Sequence, residues 1–209
     1  MAPIKIQIMK IIIGILGVLV LIFAVAQVIL AQTTQKIEEY PYVVVEKRDR
    51  YEIRRYESRN FTYVSMPKSD YKTNSSRGFR VLAGYIFGDN EANQKIAMTS
   101  PVTMDVSESD SMEMMFLIPA EYQIDELPNP SNRNVKFKTV PAKLVAALQF
   151  GGWSNDDKIA KHKAELETLL KRDGIQHNGN FSYFGYNPPY EVVNRRNEII
   201  VELEPGQFH

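Results

Sequence analysis

The chain has 209 residues, 44% of them hydrophobic and 24% charged, with 25 basic side chains against 25 acidic ones. That is ordinary globular composition rather than disordered or low-complexity sequence, and the zero formal net charge leaves no electrostatic footprint for nucleic acid. No cysteine is present, which excludes disulfides, thiolate metal sites, iron–sulfur clusters and a cysteine nucleophile.

From Ile11 to Ala31 the chain reads IIIGILGVLVLIFAVAQVILA, without charge and with Gln27 as the one strongly polar residue. As a helix rising about 1.5 Å per residue, this run just crosses a hydrocarbon core of about 30 Å. Lys5 and Lys10 precede it, whereas Gln32 to Glu39 carries one lysine and two glutamates. The positive-inside bias therefore puts the N-terminus in the cytoplasm and the remainder outside. The alternative is a cleaved secretory signal with Ala24-Val25-Ala26 as an A-x-A site. The apolar run continues past that site, which favours an uncleaved anchor; both readings export the rest of the chain. A buried core helix would show a polar face, and this run has none. The chain thus divides into an anchor or signal at residues 1–32, a linker at 33–41 and one domain at 42–209, long enough to bury its own core.

The domain opens with strand-like stretches. Tyr42 to Val45 is β-branched and aromatic. In Tyr51 to Tyr56, Tyr51, Ile53 and Arg55 fall on one face and Glu52, Arg54 and Tyr56 on the other. Phe61 to Met66 follows after a turn at Ser58-Arg59-Asn60, and such short connections imply antiparallel pairing. A helix comes next, because Phe79, Leu82, Ala83, Ile86 and Phe87 recur at i, i+3, i+4, i+7 and i+8. Asn74, Ser75 or Ser76 is the expected cap, and Gly88 the expected stop. Val102 to Val106 and Met112 to Ile118 are strands joined at Ser107 to Ser111. The Pro-rich segment Pro119 to Asn134 reads as a long surface connection.

The second half repeats that order. Val135 to Val140 and Lys143 to Phe150 are strand-like and split by Pro141. A helix runs from a cap at Ser154 or Asn155 to about Asp173, with Ile159, Leu166, Leu169 and Leu170 on its apolar face and Gly174 just beyond. Phe181 to Tyr186 and Glu198 to Leu203 close the chain. Each half is a strand pair, a helix and a strand pair, without a residue-level repeat. The predicted class is α+β: a distorted antiparallel β-barrel with two flanking helices and a pseudo-two-fold repeat, preceded by one transmembrane helix.

Five stretches carry a family resemblance. They are Tyr51 to Tyr56, Gly78 to Asn90, Lys95 to Val102, Phe150-Gly151-Gly152, and Tyr186-Asn187-Pro188-Pro189-Tyr190 followed by Arg195 to Ile199. In that order and spacing, from about Tyr51 to Glu202, the chain resembles the SOUL haem-binding family, whose fold is a distorted β-barrel of two halves with two flanking helices. The resemblance implies reversible, non-covalent binding of haem or another tetrapyrrole in a shallow apolar groove beside the first helix of the domain. Carried over residue by residue, the groove takes Ser76, Phe79, Arg80, Ala83, Gly84 and Phe87 from that helix, with Tyr190 and Glu191 from the C-terminal stretch. Positions at which members place basic side chains toward the propionates are Gly84 and Glu191 here. A histidine proposed as iron ligand in another member falls at Arg55.

Read on their own chemistry, those residues have plainer roles beside these. Haem needs an apolar slot, cations for two propionates and optionally an axial His, Met, Tyr or Cys. Phe79 and Phe87 serve equally as core, and Arg80 as a solvated helix face. Of the three histidines, His162 sits at the edge of an apolar helix face and suits packing, His177 lies in the loop after Gly174, and His209 ends the chain. Met98, Met104, Tyr85, Tyr183 and Tyr186 suit core positions. No H-x-H, H-E-x-x-H or E-x-x-H spacing occurs for a metal, and no G-x-S-x-G elbow or Walker loop is present. Ser75 and Ser100 have no histidine nearby in sequence, and Arg195 to Glu198 suits a structural charge network. Three functions stay open: a haem-binding module for buffering or transfer at a membrane, a module for a different small apolar ligand in the same groove, and an enzyme acting on a tetrapyrrole or a hydrolysable small molecule. Non-enzymatic binding is the expectation, because no acid–base or nucleophile set is visible.

Overall fold

The computed structural model describes residues 2–34, 37–188 and 190–208. Met1, Gln35 and Lys36 of the expected linker, Pro189 of the C-terminal motif and the terminal His209 lie outside them. Two compact units are present: residues 1–37 with 188–193, and residues 38–187 with 194–209.

The first unit is built on α1 (Ala2–Thr34). Its window Ile8–Gln27 has a mean hydropathy of 2.9 and is 0% buried within the structure. Length and composition suffice for a membrane span.

The second unit is a curled antiparallel sheet with two helices. Its strands are β1 (Glu38–Glu39), β2 (Tyr42–Lys47), β3 (Glu52–Tyr56), β4 (Arg59–Pro67), β5 (Thr99–Ser100), β6 (Val102–Asp105), β7 (Ser111–Leu117), β8 (Lys136–Val140), β9 (Lys143–Gly151), β10 (His177–Gly185) and β11 (Arg196–Leu203), and its helices are α2 (Tyr71–Ile86) and α3 (Asp156–Asp173). Nine strands join in the order β2-β3-β9-β11-β10-β6-β7-β4-β8, every pair antiparallel. Apart from β2 this order has an internal symmetry. Exchanging β3, β4, β6 and β7 for β8, β9, β10 and β11 turns it into its own reverse. The pseudo-two-fold axis passes between β6 and β10, and the opening strand of each half is paired with the second strand of the other half. The helices obey the same operation, α2 resting on β4 and β7 and α3 on β9 and β11.

Strand periodicity divides the interior. Ile199, Val201 and Leu203 of β11 point into the larger core with the buried side of both helices. Ile200 points the other way, toward Tyr40, Tyr56, Phe61, Val145, Ala147, Phe184 and Tyr186. Glu198 shares that second face. It is fully buried and accepts from Arg54 Nη1 at 2.8 Å and from the Tyr186 hydroxyl at 2.9 Å, while Arg196 Nε lies 3.1 Å from its other oxygen. The expected structural network at Arg195 to Glu198 is thus present and reaches back to the opening strand of the first half.

Three local expectations are corrected. The helix α2 begins at Tyr71, not in the Asn74 to Ser76 region. Asp70, in extended backbone, accepts from Thr73 N at 2.9 Å and caps it, and this first turn is polar, so the apolar stripe starts one turn late. Asn74 is instead buried and donates to the Pro67 carbonyl at 3.0 Å. The folded part also starts before Tyr42: β1 pairs in parallel with β5, and Tyr40 is buried. The segment Pro119 to Asn134 is not wholly superficial, since Leu127 is buried and the Pro128 carbonyl accepts from the Tyr85 hydroxyl at 3.0 Å. The helix α3 follows expectation, capped by Asn155 and closed by Gly174 at φ +69°, a left-handed conformation that suits glycine.

Candidate functional site

The helix α2 is fixed against the sheet on one side and open on the other. Leu82, Tyr85 and Ile86 face inward and are buried, and Ala83 is buried at the edge of that side. Gly78 sets the distance of approach: a Cβ there would lie 2.8 Å from Met66 Cε and 3.0 Å from Met114 Sδ. The turn after α2 is tightly tied. Phe87 closes the helix through its N–H to the Ala83 carbonyl at 3.0 Å, and Gly88 follows at φ +116°. The buried Asn90 side chain then donates to the carbonyls of Tyr85 at 3.0 Å and Gln94 at 2.8 Å. A helix end held this way leaves the Phe87 ring pointing outward, and it is 59% exposed.

Six of the eight expected site residues share α2 or its cap. Ser76, Arg80, Ala83, Gly84 and Phe87 lie on one side at helical spacing. Ser76 and Arg80 are exposed, Gly84 is half-buried, and Ala83 forms the floor. Phe79 borders them, half-buried, its ring 5.4 Å from that of Phe116. A Cβ at Gly84 would meet only Asp89, its carboxylate oxygen at 3.8 Å, so the surface beside Phe87 is open at Gly84 and bordered by Asp89. Tyr190 and Glu191 belong to the unit that contains α1; Tyr190 is 58% exposed and Glu191 4%.

One residue escaped the sequence reading. Arg77 is exposed and stands seven positions before Gly84, on the rim of the same face. It makes no ion pair with any described residue, nor does Arg80. The helix α2 carries Lys72, Arg77 and Arg80 and no acidic side chain. Helical spacing from Gly84 was the signal that could have found Arg77.

The other candidates are structural. His162 stacks on Phe150 with centroids 4.1 Å apart, and its Nδ1 is 3.0 Å from Glu165. His177 opens β10 rather than lying in a loop, edge-on to Phe181. Met104, Tyr85, Tyr183 and Tyr186 are buried core residues and Met98 packs against that core. Ser75 Oγ donates to the Lys72 carbonyl and Ser100 Oγ to the Tyr186 carbonyl, neither toward an imidazole. Arg55 is exposed on β3. Among the described residues no group of three His, Asp or Glu side chains is placed to hold a metal. A cavity of about 380 Å³ lies away from α2, lined by Tyr42, Arg48, Arg50, Arg54, Gln149 and Arg196 among others. That charged lining suits no apolar macrocycle.

The family model described as SOUL heme-binding protein matches residues 37–202. Heme-binding protein 2 of Homo sapiens is 33% identical over 157 residues, covering 71% of this chain and 76% of that protein. Heme-binding protein 2 of Mus musculus is 31% identical over 165 residues, covering 75% and 80%, and Heme-binding protein 1 of Xenopus laevis is 28% identical over 155 residues, covering 71% and 81%. Among solved structures, the EcmrR C-terminal domain superposes with a TM-score of 0.58 at 10% identity, covering 74% of this chain and 96% of that one. A hydrolase from Listeria innocua gives 0.54 at 8%, covering 76% and 94%. These two share the fold.

Proposed function

The chain belongs to the SOUL heme-binding protein family, and from that premise we propose that it binds haem reversibly and non-covalently on the outer face of α2. The observation that carries the reading is the composition of that face. An exposed phenyl ring stands beside an open glycine surface that Asp89 borders, with two arginines unengaged among the described residues and no carboxylate on the helix itself. Bound haem supplies an apolar macrocycle, an iron and two propionates. Phe79, Ala83 and Phe87 hold the macrocycle, the guanidinium groups of Arg77 and Arg80 attract the propionates, and the Ser76 hydroxyl borders them. Tyr190 and Glu191, which the family resemblance adds, belong to the unit that contains α1 and are left out of this site. No histidine or methionine lies within α2, so binding rests on apolar contact and charge, which suits an exchangeable ligand.

The role is buffering or transfer of haem rather than its chemical conversion. Its place is a membrane, with α1 retained as an anchor, the N-terminus cytoplasmic and the domain outside; residues 1–32 serve as the anchor, a short linker follows, and the binding domain starts at β1. Supporting this are the apolar window Ile8–Gln27 and the Ser75 and Ser100 hydroxyls, each of which donates to a backbone carbonyl. The deciding experiment is a haem titration of the full chain in detergent, read at the Soret band against detergent alone. A saturable shift at one equivalent, lost on Phe87→Asp, is the expected result; a linear response equal to that of an unrelated protein would remove haem from this member. One observation favours a second reading, a different apolar ligand on the same face: α2 offers no imidazole or thioether to iron. A co-purifying ligand without a Soret band, displaced by Phe87→Asp, would select it.

A further inference from the structure

The first unit contains a feature that haem binding leaves unused. Gln27 is the strongly polar side chain at the end of the apolar window Ile8–Gln27. An amide at the edge of a hydrocarbon layer is costly unless its donor and acceptor are both engaged. Here they are engaged by backbone: Gln27 Nε2 donates to the Tyr190 carbonyl at 3.4 Å, and Gln27 Oε1 accepts from Val192 N at 3.2 Å. The same two contacts occupy polar groups of the Tyr190–Val193 segment that would otherwise need water.

The side chains of that segment are sorted in a matching way. Glu191, its one charge, is 4% exposed, while Tyr190, Val192 and Val193 are 58%, 43% and 52% exposed. In a water-facing loop the opposite sorting is expected, with the carboxylate out and the valines in. Tyrosine beside small apolar residues is the composition of a headgroup boundary. We propose that Tyr190–Val193 is a membrane-interface element, clamped to the end of the span by Gln27 and immersing Tyr190, Val192 and Val193 in the extracytoplasmic leaflet. The lipid is recognised as an interface, through apolar area and an aromatic hydroxyl, without a specific headgroup. This rests on α1 crossing the membrane and is independent of what α2 binds.

The absence of cysteine makes single-site labelling clean. The full chain, as Val20→Cys, Val43→Cys or Val192→Cys, is labelled with an environment-sensitive fluorophore and reconstituted into phosphatidylcholine vesicles. Val43, 65% exposed on β2, is the aqueous reference. The expected result is a blue-shifted Val192 label quenched by a shallow spin-labelled lipid, as for side chains held about 5–10 Å into the headgroup boundary, with the Val20 label quenched by a deep one. A Val192 label as water-accessible as the Val43 label, while Val20 stays lipid-quenched, overturns the proposal and leaves the span. A Val20 label quenched by aqueous iodide overturns both.

Discussion

Arg54 and Glu198 meet at 2.8 Å with side chains 4% and 0% exposed, linking the opening strand of the first half to the closing strand of the second. Removing Glu198 takes from the buried Arg54 guanidinium its fully buried partner and leaves it Glu52, at 2.8 Å and nearer solvent. Glu198→Gln is therefore expected to cost about 3 kcal/mol, the low end for a broken buried pair, and paired replacement of Arg54 and Glu198 by methionine to restore much of that loss. Urea unfolding followed by the fluorescence of Trp153 reads both, and equal losses in single and paired variants would show that the ion pair is not what matters there.

The α2 face makes a separable prediction about affinity. Phe87 is 59% exposed, so Phe87→Asp should leave stability within about 0.5 kcal/mol while weakening haem binding about tenfold or more, equivalent to about 1.4 kcal/mol. Phe79→Asp should also destabilise the fold, because that ring rests on Phe116. The contrast between the two distinguishes a binding surface from general damage.

Charge at the rim can be tested with the ligand rather than the protein. Arg77→Glu and Arg80→Glu should each weaken haem binding, and the two together should do so further. Binding of the dimethyl ester of haem, whose propionates carry no charge, should be indifferent to both. Equal sensitivity of haem and ester would remove the arginines from propionate recognition.

Asp173 gives a pH dependence. Hydrogen bonds from Arg172 Nε at 2.7 Å and from the Tyr51 hydroxyl at 2.6 Å hold its carboxyl down at about 2. An unfolded aspartate titrates near about 3.9, so the folded value is the lower one. The stabilisation is therefore complete above about pH 4 and disappears as pH falls toward about 2. Asp173→Asn should lower the urea midpoint at neutral pH and converge with the parent on acidification; parallel curves at all pH values would contradict it.

Gly78 predicts a packing effect. Leucine there must displace Met66 Cε and Met114, the Cβ of which would lie 3.2 Å from the new Cβ; overpacking of this kind costs about 1–3 kcal/mol. Alanine should cost less, since it recovers up to about 1 kcal/mol of helix propensity and the Met66 terminus can swing aside. Chemical unfolding of both variants ranks them.

The strands and helices were legible because their periods are local. Tyr51 to Tyr56 alternates, and Glu52 and Arg54 do share a face, joined at 2.8 Å. The start of α2 was not legible, because Tyr71-Lys72-Thr73 shows no apolar period and the cap Asp70 precedes it. Nor was the role of Tyr40: a tyrosine next to Pro41 reads as linker until a partner is known, and its partners Tyr56 and Phe61 are distant in sequence. The groove residues proposed on α2 rest on motif alone, and their neighbour Arg77 was passed over because the motif does not contain it. That Glu191 is buried while Tyr190 is exposed has no sequence signature.

The exchange of opening strands between the halves constrains how the domain is made. Cutting the chain in Pro119 to Asn134 would leave a piece holding β3, which needs β9, and another holding β8, which needs β4. Neither piece can finish its sheet alone, and each exposes the edge that the other fills. Synthesised separately they would be a complementing pair, inert apart and functional together, and the intact domain gains its non-local pairings only when both halves are present.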